Sequence, residues 1–326
     1  MILTTFVVLL IVRWYYRSRS GRCNSKEQLV GKTVIVTGAS AGIGKEAAKE
    51  FASRGARVIL ACRNLIKARK VAAEIIGHTG NKDVVVEYLD TSNLDSVRLF
   101  CRQILRNEEH LHILVNNAGI VGPQAKQITK DGLELTMATN HYGHFLLTNL
   151  LLDRMIASGP GRIINVSSAA HVFTRRINLR DLNFEATSYS PSSAYAQSKL
   201  CNILFTKELA EKLKGTEVTA NSLHPGAVGT DFFSKNDFPL NWSARIINGF
   251  LSFVVHFAGK TSELGAQTTI YLAVSGDVER VSGQYFEDCK VNLSSSSWLA
   301  KDRYVAKGLW EVSEVEVQLR PREEHF

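Results

Sequence analysis

A chain of 326 residues with 45% hydrophobic and 21% charged residues has a globular composition, long enough for one large α/β domain and unlike a disordered segment. Its 39 basic and 31 acidic residues leave a net charge of +8, but no zinc spacing or aromatic RNA-binding motif accompanies that excess, so nucleic acid is not an expected partner. Five cysteines (Cys23, Cys62, Cys101, Cys201, Cys289) are irregularly spaced and odd in number, which suggests neither a disulfide framework nor a metal site and fits a reducing compartment.

Residues 1–12 (MILTTFVVLLIV) carry no charged side chain and are followed by Arg13, Trp14, Tyr15, Tyr16, Arg17, Arg19 and Arg22. An apolar run with its basic flank behind it reads as an uncleaved membrane anchor over residues 1–17, because a cleaved signal peptide places its charges first. Twelve helical residues reach only ~18 Å against a hydrocarbon core of ~30 Å. Either the aromatic residues 14–16 extend the span or the segment inserts shallowly. Basic flanks stay cytoplasmic, which puts the body of the protein on the cytosolic side. A polar linker, residues 18–31, follows.

From residue 32 onward, short apolar runs alternate with helical periodicity. The runs at 32–37, 57–61, 84–89, 113–115, 162–166 and 218–223 read as buried strands. Apolar residues at helical spacing mark helices near 43–51, 65–75, 94–105, 133–156 and 194–213. This alternation predicts a single α/β domain, a Rossmann-type doubly wound parallel sheet with helices on both faces and its chemistry at the carboxyl ends of the strands. The domain reads as residues 32–290, with 291–326 as a C-terminal extension.

Three local patterns carry chemistry. Between the first strand and helix lie Gly38, Ser40, Ala41, Gly42, Ile43 and Gly44, where glycines let the backbone approach a pyrophosphate and the helix start supplies N–H donors. Taken alone, such a turn also serves as an ordinary βα loop. Tyr195 and Lys199 leave one helix face at i,i+4. A free tyrosine titrates near ~10 and an adjacent cation favours its phenolate, which is the logic of a general acid/base, although the same spacing is common on amphipathic helices. At the end of the second strand, where an NAD site places a carboxylate, stands Arg63, suited to a 2′-phosphate or to a solvated surface position.

The Gly-x-x-x-Gly-x-Gly turn, Asn116-Asn117-Ala118-Gly119, Ser168, Tyr195-x-x-x-Lys199 and Pro225-Gly226, in this order, resemble the short-chain dehydrogenase/reductase family over residues 32 to about 286. The anchor, Ala61-Cys62-Arg63-Asn64, Thr139-Asn140-His141 and residues 283–289 resemble its membrane-associated, retinol dehydrogenase-like branch. The resemblance implies an NADP(H)-dependent oxidoreductase that interconverts a lipophilic alcohol and its aldehyde or ketone, with retinol/retinal first and steroids or lipid aldehydes as the alternative. It also implies an endoplasmic reticulum membrane location with the catalytic domain facing the cytosol. A reading from another class is a membrane-anchored NADP-binding scaffold without chemistry. That reading expects a lost catalytic side chain, whereas Ser168, Tyr195 and Lys199 are all present.

Residue roles follow from the same resemblance. Tyr195 would donate the proton, Ser168 would hydrogen-bond the substrate oxygen, Lys199 would lower the tyrosine pKa and bind the nicotinamide ribose, and Asn140 would kink its helix and support a water relay. Asp90 would contact the adenine, although an aspartate there can equally cap the next helix. Asn117, Ala118 and Gly119 would flank the adenosine half. After Pro225 and Gly226, the Val228 backbone and the Thr230 hydroxyl would hold the carboxamide. His224 reads as a packed strand-end residue. The apolar stretch within about 232–260 reads as a flap over a greasy substrate, or as core helix or dimer contact. A homodimer through the long helices beginning near Leu133 and Ala194 is implied, while the same apolar faces can be satisfied within the sheet.

Overall fold

Because β1 (Thr33–Thr37) is apolar or β-branched at every position and lies between two neighbours, it can only be stable with both faces covered, and all five residues are buried. The computed structural model describes residues 10–11, 13–228, 259–292, 294 and 296–323. Around β1 are laid β2 (Arg57–Cys62), β3 (Val84–Tyr88), β4 (Ile113–Asn116), β5 (Gly161–Val166), β6 (Val218–His224), β7 (Tyr285–Glu287) and β8 (Lys290–Val291), in the order β3-β2-β1-β4-β5-β6-β7-β8. Every pairing is parallel except β7 with β8. The order reverses direction between β1 and β4, and that switch point is where a crevice forms at the carboxyl ends of the strands.

Side-chain alternation divides the core between the two faces. Ile35, Ile59 and Leu114 join one apolar cluster, whereas Val34, Val36, Val58, Leu60, Ile113 and Val115 join the other. The second cluster is completed by α1 (Gly42–Ser53), α2 (Leu65–Thr79) and α6 (Ser262–Val274); the first by α3 (Leu94–Asn107), α4 (residues 135–157), α5 (Pro191–Lys212) and α7 (Arg303–Glu316). Local chemistry sets the helix starts. Asn64 accepts from Lys67 N, Asn93 from Ser96 N, and Ser190 from Ser193 N with Pro191 at the first turn.

The strand positions agree with the sequence pattern to within a residue or two. Three features differ from it. First, α4 is not one regular helix: it starts as Leu135–Met137, passes through a π-helical segment Ala138–Tyr142 and continues as Gly143–Ala157. Second, the three-residue β7 and two-residue β8 were too short for periodicity to register. Third, the residues after 290 are built into the core rather than appended to it. Trp310 of α7 stacks 4.9 Å from Phe145 of α4 and 5.8 Å from Phe205 of α5, and Lys212 lies 4.7 Å over its ring. The parts of α4 and α5 around Phe145 and Phe205, which the resemblance offered to a dimer partner, are thus covered by the chain's own α7.

No helix among the described residues is long and apolar enough to cross a membrane, and nearly all of residues 1–12 lies outside them. Replacing Trp310 with Ala opens a cavity beside Phe145 and Phe205 and should lower stability by about 3–5 kcal/mol in denaturant titrations of the full chain in detergent. A loss below about 1 kcal/mol would show that α7 is a surface appendage.

Candidate active site

Tyr195 lies one turn into α5 and Lys199 one turn further along the same face. Both are buried. Lys199 Nζ donates to Val166 O, the last carbonyl of β5, at 2.9 Å and lies 5.7 Å from the centroid of the Tyr195 ring. Burial pushes Lys199 down to about 8 and Tyr195 up to about 12; a hydrogen bond with Ser168 pulls the phenol partly back. Desolvation is the dominant influence on the Tyr195 phenol here. The protein holds Tyr195 as a phenol at neutral pH, the form of a proton donor.

Ser168 begins the 3₁₀ turn Ala169–Phe173 after β5 and accepts from Ala170 N at 3.2 Å. His171 fixes that turn. Its Nδ1 donates to Ser168 O at 2.7 Å and its Nε2 accepts from Ser297 N at 3.3 Å, so burial and geometry keep the ring neutral. Asn140 sits in the π-helical segment. Its side-chain Oδ1 accepts from Ile120 N at 2.8 Å, while Nδ2 donates to Ile120 O and to Ser198 Oγ, each at 2.9 Å. Ser198 in turn donates to Tyr195 O at 2.8 Å. Between them passes Gly119: a Cβ there would stand 3.3 Å from Asn140 Oδ1 and 3.4 Å from Lys199 Nζ. Asn140, Ser168, Tyr195 and Lys199 are thereby gathered at the carboxyl ends of β4 and β5.

The glycine-rich turn lies alongside. Gly38 has φ +67°, and a Cβ on it would meet Ala118 Cα at 2.9 Å, so only glycine lets the two turns touch. Asn117 Nδ2 donates to Thr37 O at 2.8 Å. Helix α1, whose cap residue Ala41 is extended with no side-chain cap, presents Gly42, Ile43 and Gly44 with no acidic residue in its first turn. Open N–H groups and no competing carboxylate fit the phosphates of a dinucleotide. Arg63, 65% exposed, ends β2 beside Asp90 with 3.9 Å between Nη1 and Oδ2. Asp90 also closes a local turn, its Oδ1 accepting from Ser92 N and Oγ at 3.0 and 2.7 Å. The cap of the next helix is Asn93 instead.

After β6 the chain turns through Pro225 and Gly226, with φ +88° at the glycine, and Val228 bridges Lys260 in parallel. Thr230 and nearly all of the apolar stretch 232–260 lie outside the described residues. His224 is neutral and packed, pushed down to about 4 mainly by burial. Sequence reasoning missed the knot beneath this turn. Lys260, only 2% exposed, donates to Asp288 Oδ1 at 2.5 Å; the same oxygen accepts from Gly21 N at 2.9 Å, and nearby Tyr16 Oη accepts from Ala227 N at 3.0 Å. The one available signal was a lysine ending a run without charged side chains at 246–258.

The family described as short chain dehydrogenase matches residues 32–179. Human retinol dehydrogenase 11 is 46% identical over 295 residues, covering 90% of this chain and 88% of that protein. A crystal structure of an uncharacterised protein from Mycobacterium paratuberculosis superposes with a TM-score of 0.70 at 34% identity, covering 92% of this chain and 98% of that one. A short-chain dehydrogenase from Shigella flexneri, complexed with NADP, gives 0.61 at 26% identity over 82% of this chain and 100% of its own.

The knot is asymmetric, with Lys260 buried and Asp288 36% exposed. Asp288→Ala strands a buried cation and should cost about 3–5 kcal/mol, more than Lys260→Met, which leaves a carboxylate open to water. Urea midpoints of the two variants in detergent decide this, and the reverse order contradicts the assignment.

Proposed function

We propose that this chain, which belongs to the short-chain dehydrogenase/reductase family and to its retinol dehydrogenase-like branch, is an NADP(H)-dependent oxidoreductase interconverting a lipophilic alcohol and its carbonyl, retinol/retinal first. The observation that carries the reading is the hydrogen-bonded chain from Asn140 through Ser198 to the Tyr195 backbone, with the Tyr195 phenol bonded to Ser168 and Lys199 Nζ 5.7 Å from its ring, beside the glycine-rich turn. A scaffold without chemistry has no use for that arrangement. NADP(H) is supported by Arg63 at the end of β2 and by the NADP-complexed relative from Shigella flexneri. The name of the human relative supports a retinoid substrate.

When bound, the reduced nicotinamide supplies the hydride that reaches the carbonyl carbon. Tyr195 gives its phenolic proton to the carbonyl oxygen, and the Ser168 hydroxyl donates a hydrogen bond to the same oxygen. Lys199 keeps positive charge beside the phenol as its oxygen gains negative charge. In oxidation the alcohol proton returns to Tyr195. Asn140 braces the turn of α5 that holds both groups and supports proton resupply through water. Residues 1–17 attach the domain to the endoplasmic reticulum membrane, facing the cytosol, and residues 232–260 cover the substrate.

The test is an NADPH- and NADH-linked turnover panel on the detergent-solubilised full chain, setting retinal against steroid ketones and alkyl aldehydes. Retinal as the best substrate supports the reading, and a steroid or alkyl preference moves it to the other carbonyl class. Tyr195→Phe should lower kcat by about 10²–10⁴-fold with NADPH affinity kept. Turnover within about threefold of the parent would contradict the proton-donor role. Arg63→Ala should weaken kcat/KM for NADPH by roughly 10–100-fold while leaving NADH nearly unchanged, since a charged hydrogen bond is worth about 1.5–3 kcal/mol. Equal losses with both cofactors would remove the 2′-phosphate contact.

A further inference from the structure

His144 is 2% exposed and joins two halves of the site. Its Nδ1 lies 3.1 Å from the backbone oxygen of Asn140, and its Nε2 lies 3.0 Å from Thr37 Oγ. Thr37 is the last residue of β1, fully buried. Its hydroxyl oxygen accepts from Asn117 N and Ala118 N, each at 2.9 Å.

Donor and acceptor roles follow from what each group can do. A carbonyl oxygen only accepts, so Nδ1 must carry a proton. Burial pushes the imidazole down to about 4, with repulsion from Lys199 in the same direction, so the ring is neutral and Nε2 is bare. The two amides fill the lone pairs of Thr37 Oγ, which leaves its single proton to donate. Nε2 at 3.0 Å takes it in preference to Val115 O at 3.3 Å. The polarity of the chain runs one way, from Asn117 and Ala118 through Thr37 and His144 to Asn140.

We propose that His144, held as the Nδ1-protonated neutral tautomer, is a positioning residue that fixes the backbone of Asn140 against the Thr37–Ala118 turn and so sets the register between the proton-handling helices and the cofactor-binding loops. The inference deepens the reading above and rests on it for its effect on turnover. Asn140 reaches Ser198 with its side chain, so a shift of its backbone moves the turn of α5 that carries Tyr195 and Lys199. The π-helical segment ends immediately before Gly143, and His144 holds it from the next turn.

Two measurements decide the matter. In nitrogen-15 spectra of the cofactor-free full chain in detergent, His144 should show a protonated, slowly exchanging Nδ1 and a bare Nε2, unchanged from about pH 5 to about pH 8. An Nε2-protonated ring, or one that titrates in that window, overturns the proposal whether or not any substrate is turned over. In kinetics, His144→Leu should lower kcat by about tenfold or more and change the KM of the carbonyl substrate little. His144→Gln, whose amide can donate to Asn140 and accept from Thr37, should recover most of that loss. The double variant Thr37→Val with His144→Leu should lose no more than the larger single loss, because both substitutions break one chain. Equal loss in the Leu and Gln variants, or additive losses with Thr37→Val, also overturns it. If the unaltered protein turns over no carbonyl, the functional reading fails while the spectra still decide the tautomer.

Discussion

One amide holds the site together. Asn140 lies in an interior where an unpaired polar atom costs about 1–3 kcal/mol, and it meets that constraint by clamping both backbone groups of Ile120 while its remaining donor reaches Ser198. The clamp joins the loop after β4, the irregular helix α4 and the first turns of α5. These three elements come from sequence positions up to 78 residues apart, and none of them alone has a reason to adopt its relative position. A regular α-helix through residues 135–157 would follow a different course here. The π-helical segment is the local irregularity by which α4 sets that asparagine facing the loop.

The dryness that makes such polar contacts firm also sets the charge states. Tyr195 and Lys199 are moved in opposite directions by the same desolvation, the phenol up and the ammonium down, and both shifts disfavour charge. The histidines of the region, His144, His171 and His224, are all pushed to the neutral side by burial. The neutral rings of His144 and His171 serve as fixed hydrogen-bonding frames. Arg63, by contrast, stands at the rim, 65% exposed.

Much of this was legible in the order of residues. Parallel strands buried on both sides need uninterrupted apolar runs, so β1 to β6 could be placed, while the short β7 could not. A glycine at positive φ and a tyrosine and lysine one turn apart leave marks within a few residues of each other. The missing parts are those whose reason lies far away along the chain. Lys260 finds Asp288 and through it Gly21; His171 finds Ser297; Arg98 finds the carbonyls of Val317 and Gln318. Periodicity cannot report such pairs. The burial of Tyr195 was hidden for a related reason, since a sequence shows the neighbouring cation and does not show how completely water is excluded.

The placement of α7 has a consequence for how the chain is made. Every residue of the reaction centre has been synthesised by the time Lys301 is added, but the aromatic pair Phe145 and Phe205 still lacks Trp310, and Arg98 still lacks its carbonyl partners. A nascent chain at that stage presents an apolar face to chaperones. A chain cut between residues 302 and 310 would therefore expose Phe145 and Phe205 while keeping every residue gathered around Tyr195.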